Sequence, residues 1–171
     1  GTAGKSPHHR YSWFTMLGLI GSAFGDGFLE LEAIGKDLFF LLGLGSFLVG
    51  HWFYVLAFSS EFVHDRRLLA AVVCYVYATG FVAILWPHLK PELRIPVLFY
   101  AATIATMLWS STRRLRHPHT HALSQRRGVL GALLFVVSDS ILAYDKFVTR
   151  LPQGKLMVMV TYYSAQFFIA L

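Results

Sequence analysis

Three ionisable side chains stand well inside apolar runs: Asp26 in GSAFGDGFLEL, His51 in GSFLVGHWFYVLAF and Asp139 in GALLFVVSDSILAYDKF. An aspartate at the centre of a membrane-spanning helix costs about 2.5–3.5 kcal/mol on insertion scales, so such groups face a protein interior and mark function by default. A carboxyl in a low dielectric resists ionisation, and two close together divide into one that keeps its proton and one that ionises. That division yields an acid and a base in one site near neutral pH. A purely structural role would be met more cheaply by Asn or Ser.

The neighbouring residues support an inward orientation. Ser22 lies four residues before Asp26, on the same helix face. Gly18, Gly21 and Gly25 form a small-residue surface on which a second helix can pack closely. Ser138 and Ser140 flank Asp139, Tyr54 follows His51 by three residues, and Tyr162 and Gln166 form a polar pair at i and i+4. Interhelical hydrogen bonding, worth about 0.6 kcal/mol per pair, accounts for Tyr162 and Gln166 somewhat better than a functional role does. His51 divides evenly between packing and function.

Other motifs are absent or bland. Ser138 and Asp139 are adjacent, so on a helix their side chains diverge by about 100°, and no G-x-S-x-G elbow accompanies them. Walker loops, H-E-x-x-H and C-x-x-C are missing. The RHPHTH stretch, with His117, His119 and His121, is expected to be a solvated loop rather than a metal site. Asp145 and Lys146 are expected at a helix exit, and Cys74 as packing.

The elements that position these residues follow from composition. Hydrophobic residues make up 56% of 171, charged residues 14%, and the mean hydropathy is +0.54. The expected class is therefore an all-α, multi-pass transmembrane helical bundle forming one domain over residues 1–171. Spans are expected at 11–29, 37–58, 68–86, 95–111, 128–144 and 156–171, six in all, with short links that make successive helices antiparallel neighbours. The net charge of +6 resides largely in short loops beside these runs, which argues for anionic lipid as the partner and against nucleic acid.

Nine Lys and Arg lie on the side of the N-terminus and six on the other, which places residue 1 in the cytoplasm. At 1.5 Å per residue, Asp139 falls about 16 Å, and Asp26 about 22 Å, from the cytoplasmic start of its helix. The first run is too long for a signal-peptide core, and Asp26 with Glu30 makes a poor cleavage site. FFIAL, without a polar flank, reads as a helix cut at or near its end, and a longer protein is expected.

Four stretches, GSAFGDGFL, GHWFYVLAF, GALLFVVSDSILAYDKF and TYYSAQFFIAL, resemble the successive signatures of the lysoplasmalogenase family of YhhN-like membrane proteins. The resemblance runs from about residue 16 to residue 171 and departs from the pattern at Glu30, where an aromatic sometimes stands. It implies about eight helices, hence one or two before residue 1, and the endoplasmic reticulum as location. It also implies hydrolysis of the vinyl ether of lysoplasmalogen to a fatty aldehyde and glycerophosphoethanolamine or glycerophosphocholine.

Vinyl ethers hydrolyse by protonation at carbon, and water captures the resulting oxocarbenium ion, a task suited to two carboxyls. Asp26 and Asp139 would share the acid and base roles, in an order left open. His51, Tyr54, Ser138, Tyr162 and Gln166 would orient them, the water or the headgroup, and basic residues at the cytoplasmic mouth would attract the phosphate. This chemistry calls for no metal and no cofactor, only a lysophospholipid substrate and membrane lipid, and it leaves a homodimer open. Two alternatives stand beside it: a metal-dependent intramembrane hydrolase with Asp26, His51 and Asp139 as ligands, and a proton-coupled transporter.

Overall fold

The computed structural model describes residues 7–32, 37–60, 68–115 and 121–171. Six α-helices account for most of them: α1 (Pro7–Glu32), α2 (Asp37–Ser60), α3 (Leu68–Leu85), α4 (Pro91–Arg114), α5 (Ala122–Phe147) and α6 (Gly154–Ala170). A single 3-10 turn, Trp86–His88, follows α3. Five of the helices are long and apolar enough to cross a membrane. The sixth, α6, has 17 residues and sits at the lower limit for a span. The fold is a multi-pass helical bundle, and its outer faces carry exposed Phe24, Leu69, Val76 and Phe99, as a lipid-facing surface should.

Several helices outrun their apolar windows. The backbone goes on pairing with itself beyond the hydrocarbon, so the hydropathy pattern marks where a helix is buried in lipid, not where it stops. Thus α4 starts at Pro91, whose missing N–H costs nothing in the first turn, with Glu92 beside the positive helix end. Similarly, α5 starts at Ala122 and carries the polar SQRR within its first turns. His117 and His119 lie outside the described residues.

Glycines set the closest helix approaches. A Cβ at Gly21 would lie 3.0 Å from Gly50 Cα, and one at Gly50 would lie 3.0 Å from Gly18 O, so α1 and α2 meet backbone to backbone. In the same way α5 meets α6 at Gly131, where a Cβ would lie 2.9 Å from Ala165 O. The turn between α5 and α6 is tied by Asp145, which accepts the Leu151 N–H at 2.6 Å and pairs with Arg150 at 3.3 Å. A Cβ at Gly154 would sit 2.6 Å from Asp145 Oδ1, so that position needs glycine.

One expectation fails. Although α2 and α3 are successive in sequence, they do not pack as a pair: both lie against α4, which also contacts α5. The space left between α2 and α3, closed by α4 and α5, is an apolar cavity of about 890 Å³ counting its open side.

Candidate active site

The Asp139 carboxylate lies on the wall of this cavity. It is carried by α5, near the middle of the helix, and its Oδ2 accepts the Tyr100 hydroxyl of α4 at 3.0 Å. The same oxygen stands 3.6 Å from Nε2 of His51, which projects from α2 and is fully buried. His51 Nδ1 lies 2.7 Å from the Phe47 carbonyl, an acceptor only, so Nδ1 carries a proton. Its Nε2 makes no hydrogen bond among the described residues. Whatever proton lies between ring and carboxyl is therefore held either as a carboxylic acid facing a neutral imidazole or as a carboxylate facing an imidazolium. A carboxyl arranged in this way can give up a proton on its cavity side and be resupplied from behind.

Aromatic rings fix the histidine. Phe135 of α5 meets His51 edge-on at 4.8 Å between centroids, and Tyr100 does so at 5.5 Å. Both Phe135 and His51 are fully buried. The imidazole is thereby aimed at Asp139 without a second polar tether.

A second polar group adjoins the first. Asp26 of α1 accepts the Tyr162 hydroxyl of α6 at 2.9 Å. From α2, the Tyr54 hydroxyl donates to Gln166 Oε1. Tyr162 also meets Phe135 edge-on at 5.4 Å, so one ring separates the Asp26 group from His51. The two carboxyls are thus held by different partners: Asp139 by Tyr100 and His51, Asp26 by Tyr162. Asp26 is not on the cavity wall.

Ser138 turns elsewhere, donating to the Val158 carbonyl of α6 at 3.3 Å, and so ties α5 to α6. Ser140 instead lines the cavity and pairs with the Tyr77 hydroxyl of α3 at 2.8 Å. Among the described residues, no three His, Cys, Asp or Glu side chains converge as a metal site would require. The geometry therefore separates Asp26 from the His51–Asp139 pair instead of joining all three as ligands.

Sequence reasoning missed Tyr100, Tyr77 and Phe135. Each is an aromatic within an apolar run, and only the pairing of α4 with α2 and α5 turns the Tyr100 phenol into a carboxyl partner. A phenol at mid-helix level was the one signal on offer, since its hydroxyl must find an acceptor in lipid.

Residues 2–171 match the YhhN family. Lysoplasmalogenase TMEM86B of Rattus norvegicus is 33% identical over 166 residues, which is 97% of this chain and 64% of the relative. The Homo sapiens protein of that name is 33% identical over 168 residues, 97% of this chain and 66% of its own length. More distantly, a Mycobacterium tuberculosis protein named lysoplasmalogenase is 31% identical over 115 residues, 64% of this chain and 41% of that protein. No solved structure matches the chain. The chain spans about two thirds or less of the length of these curated relatives. Its match over nearly every residue makes it a member of the YhhN family.

Proposed function

We propose that this protein is a lysoplasmalogenase that cleaves the vinyl ether bond of a lysoplasmalogen within the membrane. The observation that carries the reading is Asp139, a carboxyl on the wall of an apolar cavity, backed by a buried histidine whose free nitrogen faces it. The names of the family relatives point the same way.

In the proposed reaction Asp139 delivers its proton to the outer carbon of the C=C–O unit, whose π electrons form the new C–H bond. The adjacent carbon becomes an oxocarbenium ion, and the Asp139 carboxylate left beside it stabilises the charge in a medium of low dielectric. Water adds to that carbon and loses a proton to the Asp139–His51 pair. The hemiacetal then breaks its bond to the glycerol oxygen, which takes a proton from the pair while the hemiacetal hydroxyl returns its own proton to the pair and becomes the carbonyl, and the fatty aldehyde departs with glycerophosphoethanolamine or glycerophosphocholine. One water is consumed and the pair ends as it began. Tyr100 holds the carboxyl in register. Asp26 is the second carboxyl of the site and acts through Tyr162, which it orients against Phe135. Tyr54, bonded to Gln166, packs against the same Phe135 ring, and Ser138 fixes α5 on α6.

We place residue 1 on the cytoplasmic side, on the charge bias of nine Lys and Arg against six, and the protein in the endoplasmic reticulum, on its family resemblance alone. Protease protection of epitope tags at the two chain ends of the full-length protein tests that orientation.

The experiment for the activity is aldehyde release by purified full-length protein given lysoplasmalogen, beside the alkyl-ether analogue that lacks the double bond. Release from the vinyl ether alone is expected, because only an alkene accepts the proton at carbon. Equal release from both substrates would overturn the mechanism, and release from neither would overturn the activity.

A further inference from the structure

We infer that Lys146 is the phosphate anchor of a single-chain phospholipid whose hydrocarbon chain fills the apolar cavity. The inference rests on the hydrolase reading for the reacting bond, and on geometry for the orientation of the lipid. One end of the cavity lies where α2 begins and where α3 and α5 end, marked by Phe40, Leu85 and Phe147. Lys146 stands on the wall at that end, with its ammonium 4.3 Å from the centroid of the Phe40 ring. The remainder of the wall is almost wholly apolar, and its inner part is formed by Cys74, Ile104 and Leu108. A cation at one end and hydrocarbon along the rest matches an amphiphile with an anionic head and one tail.

The spacing fits the reacting bond. Lys146 follows Asp139 by seven residues, so the two share a face of α5 and lie about 10 Å apart along its axis. In a lysophospholipid, five bonds separate the ether oxygen from phosphorus. An extended chain gains about 3.3–3.6 Å per three bonds, so that link spans roughly 6 Å. With phosphate on Lys146, the ether reaches Asp139 and the tail continues inward toward Cys74 and Leu108.

This arrangement sets the headgroup on the side of the membrane opposite the N-terminus of the chain. The basic residues at the N-terminal side, expected to attract the phosphate, lie at the other ends of the helices.

The test uses full-length protein in phospholipid nanodiscs and two variants, Lys146→Met, which keeps the apolar stem over Phe40, and Lys146→Arg. The probes are a radiolabelled, non-cleavable 1-O-alkyl glycerophosphocholine and the 1-O-alkylglycerol that lacks phosphate. K146M is expected to weaken binding of the phosphate probe by roughly ten- to hundredfold and to raise KM alike, the size of a lost charge-assisted hydrogen bond, with kcat within about twofold. K146R should recover most of the affinity, and the alkylglycerol should bind wild type and K146M alike. Unchanged phosphate-probe affinity in K146M, or equal loss of both probes, would overturn the anchor even if aldehyde release persists. Lysine-dependent phosphate-probe binding without aldehyde release from any vinyl ether would instead uphold the anchor and overturn the hydrolase reading.

Discussion

Replacing Gly50 by alanine should damage the site from behind. Gly50 precedes His51 on α2, and a Cβ there would stand 3.0 Å from Gly18 O and 3.2 Å from Ser22 N, both backbone atoms of α1. A comfortable heavy-atom contact is about 3.5–4.0 Å, so α1 must retreat by roughly half an ångström to an ångström. Overpacking of this kind costs about 1–3 kcal/mol. The displacement also separates the helix bearing Asp26 from the helix bearing His51 and Tyr54. Misplacement on the ångström scale in a catalytic array can cost up to about 100-fold in rate, and a ten- to hundredfold loss is expected here.

Gly45→Ala supplies the control on the same helix. A Cβ at Gly45 would meet nothing within 4 Å. Alanine there should be neutral or should stabilise by up to about 1 kcal/mol through helix propensity. Thermal unfolding in detergent and aldehyde release, measured on both full-length variants, separate the two cases. If G45A is as damaging as G50A, or if G50A melts and turns over like wild type, the close crossing of α1 and α2 is not what holds the site.

Two further substitutions address the hydroxyl partners. Tyr100→Phe removes the 3.0 Å bond to Asp139 while keeping the ring against His51, so kcat should fall about tenfold with a melting temperature close to wild type. A large loss of stability with unchanged kcat would make Tyr100 a packing residue. Asp26→Ala and Tyr162→Phe break one 2.9 Å bond from its two ends, and the double variant should lose no more activity than the more impaired single variant. Additive losses would mean that Asp26 acts independently of Tyr162.

The apolar runs were legible because lipid leaves a spanning chain few options, and all six α-helices overlap the windows expected for them. Their ends were less so, because α4 and α5 extend through Pro91 and through SQRR, where polarity suggested loops. Asp26, His51 and Asp139 announced themselves as ionisable groups in the wrong solvent. What the sequence did not disclose was which of them meet. Short links imply that successive helices pack, yet α2 bypasses α3 for α4, and from that exchange come both the cavity and the contact between His51 and Asp139. Ser138, next to Asp139 in sequence, faces α6 because adjacent helical residues diverge by about 100°. Lys146 looked interfacial for its position at a helix exit, and only the wall of the cavity relates it to Asp139 seven residues away.

The most direct test of the central claim, that the Asp139 carboxyl supplies the proton, is single-turnover aldehyde release by full-length Asp139→Asn protein. An amide keeps the shape of the side chain and its place beside Tyr100, but has no acidic proton to transfer. Release should fall by about 10²- to 10⁴-fold, the usual contribution of a positioned general acid, in protein that elutes and melts as wild type does. Turnover within about fivefold of wild type, against that range, would contradict the account.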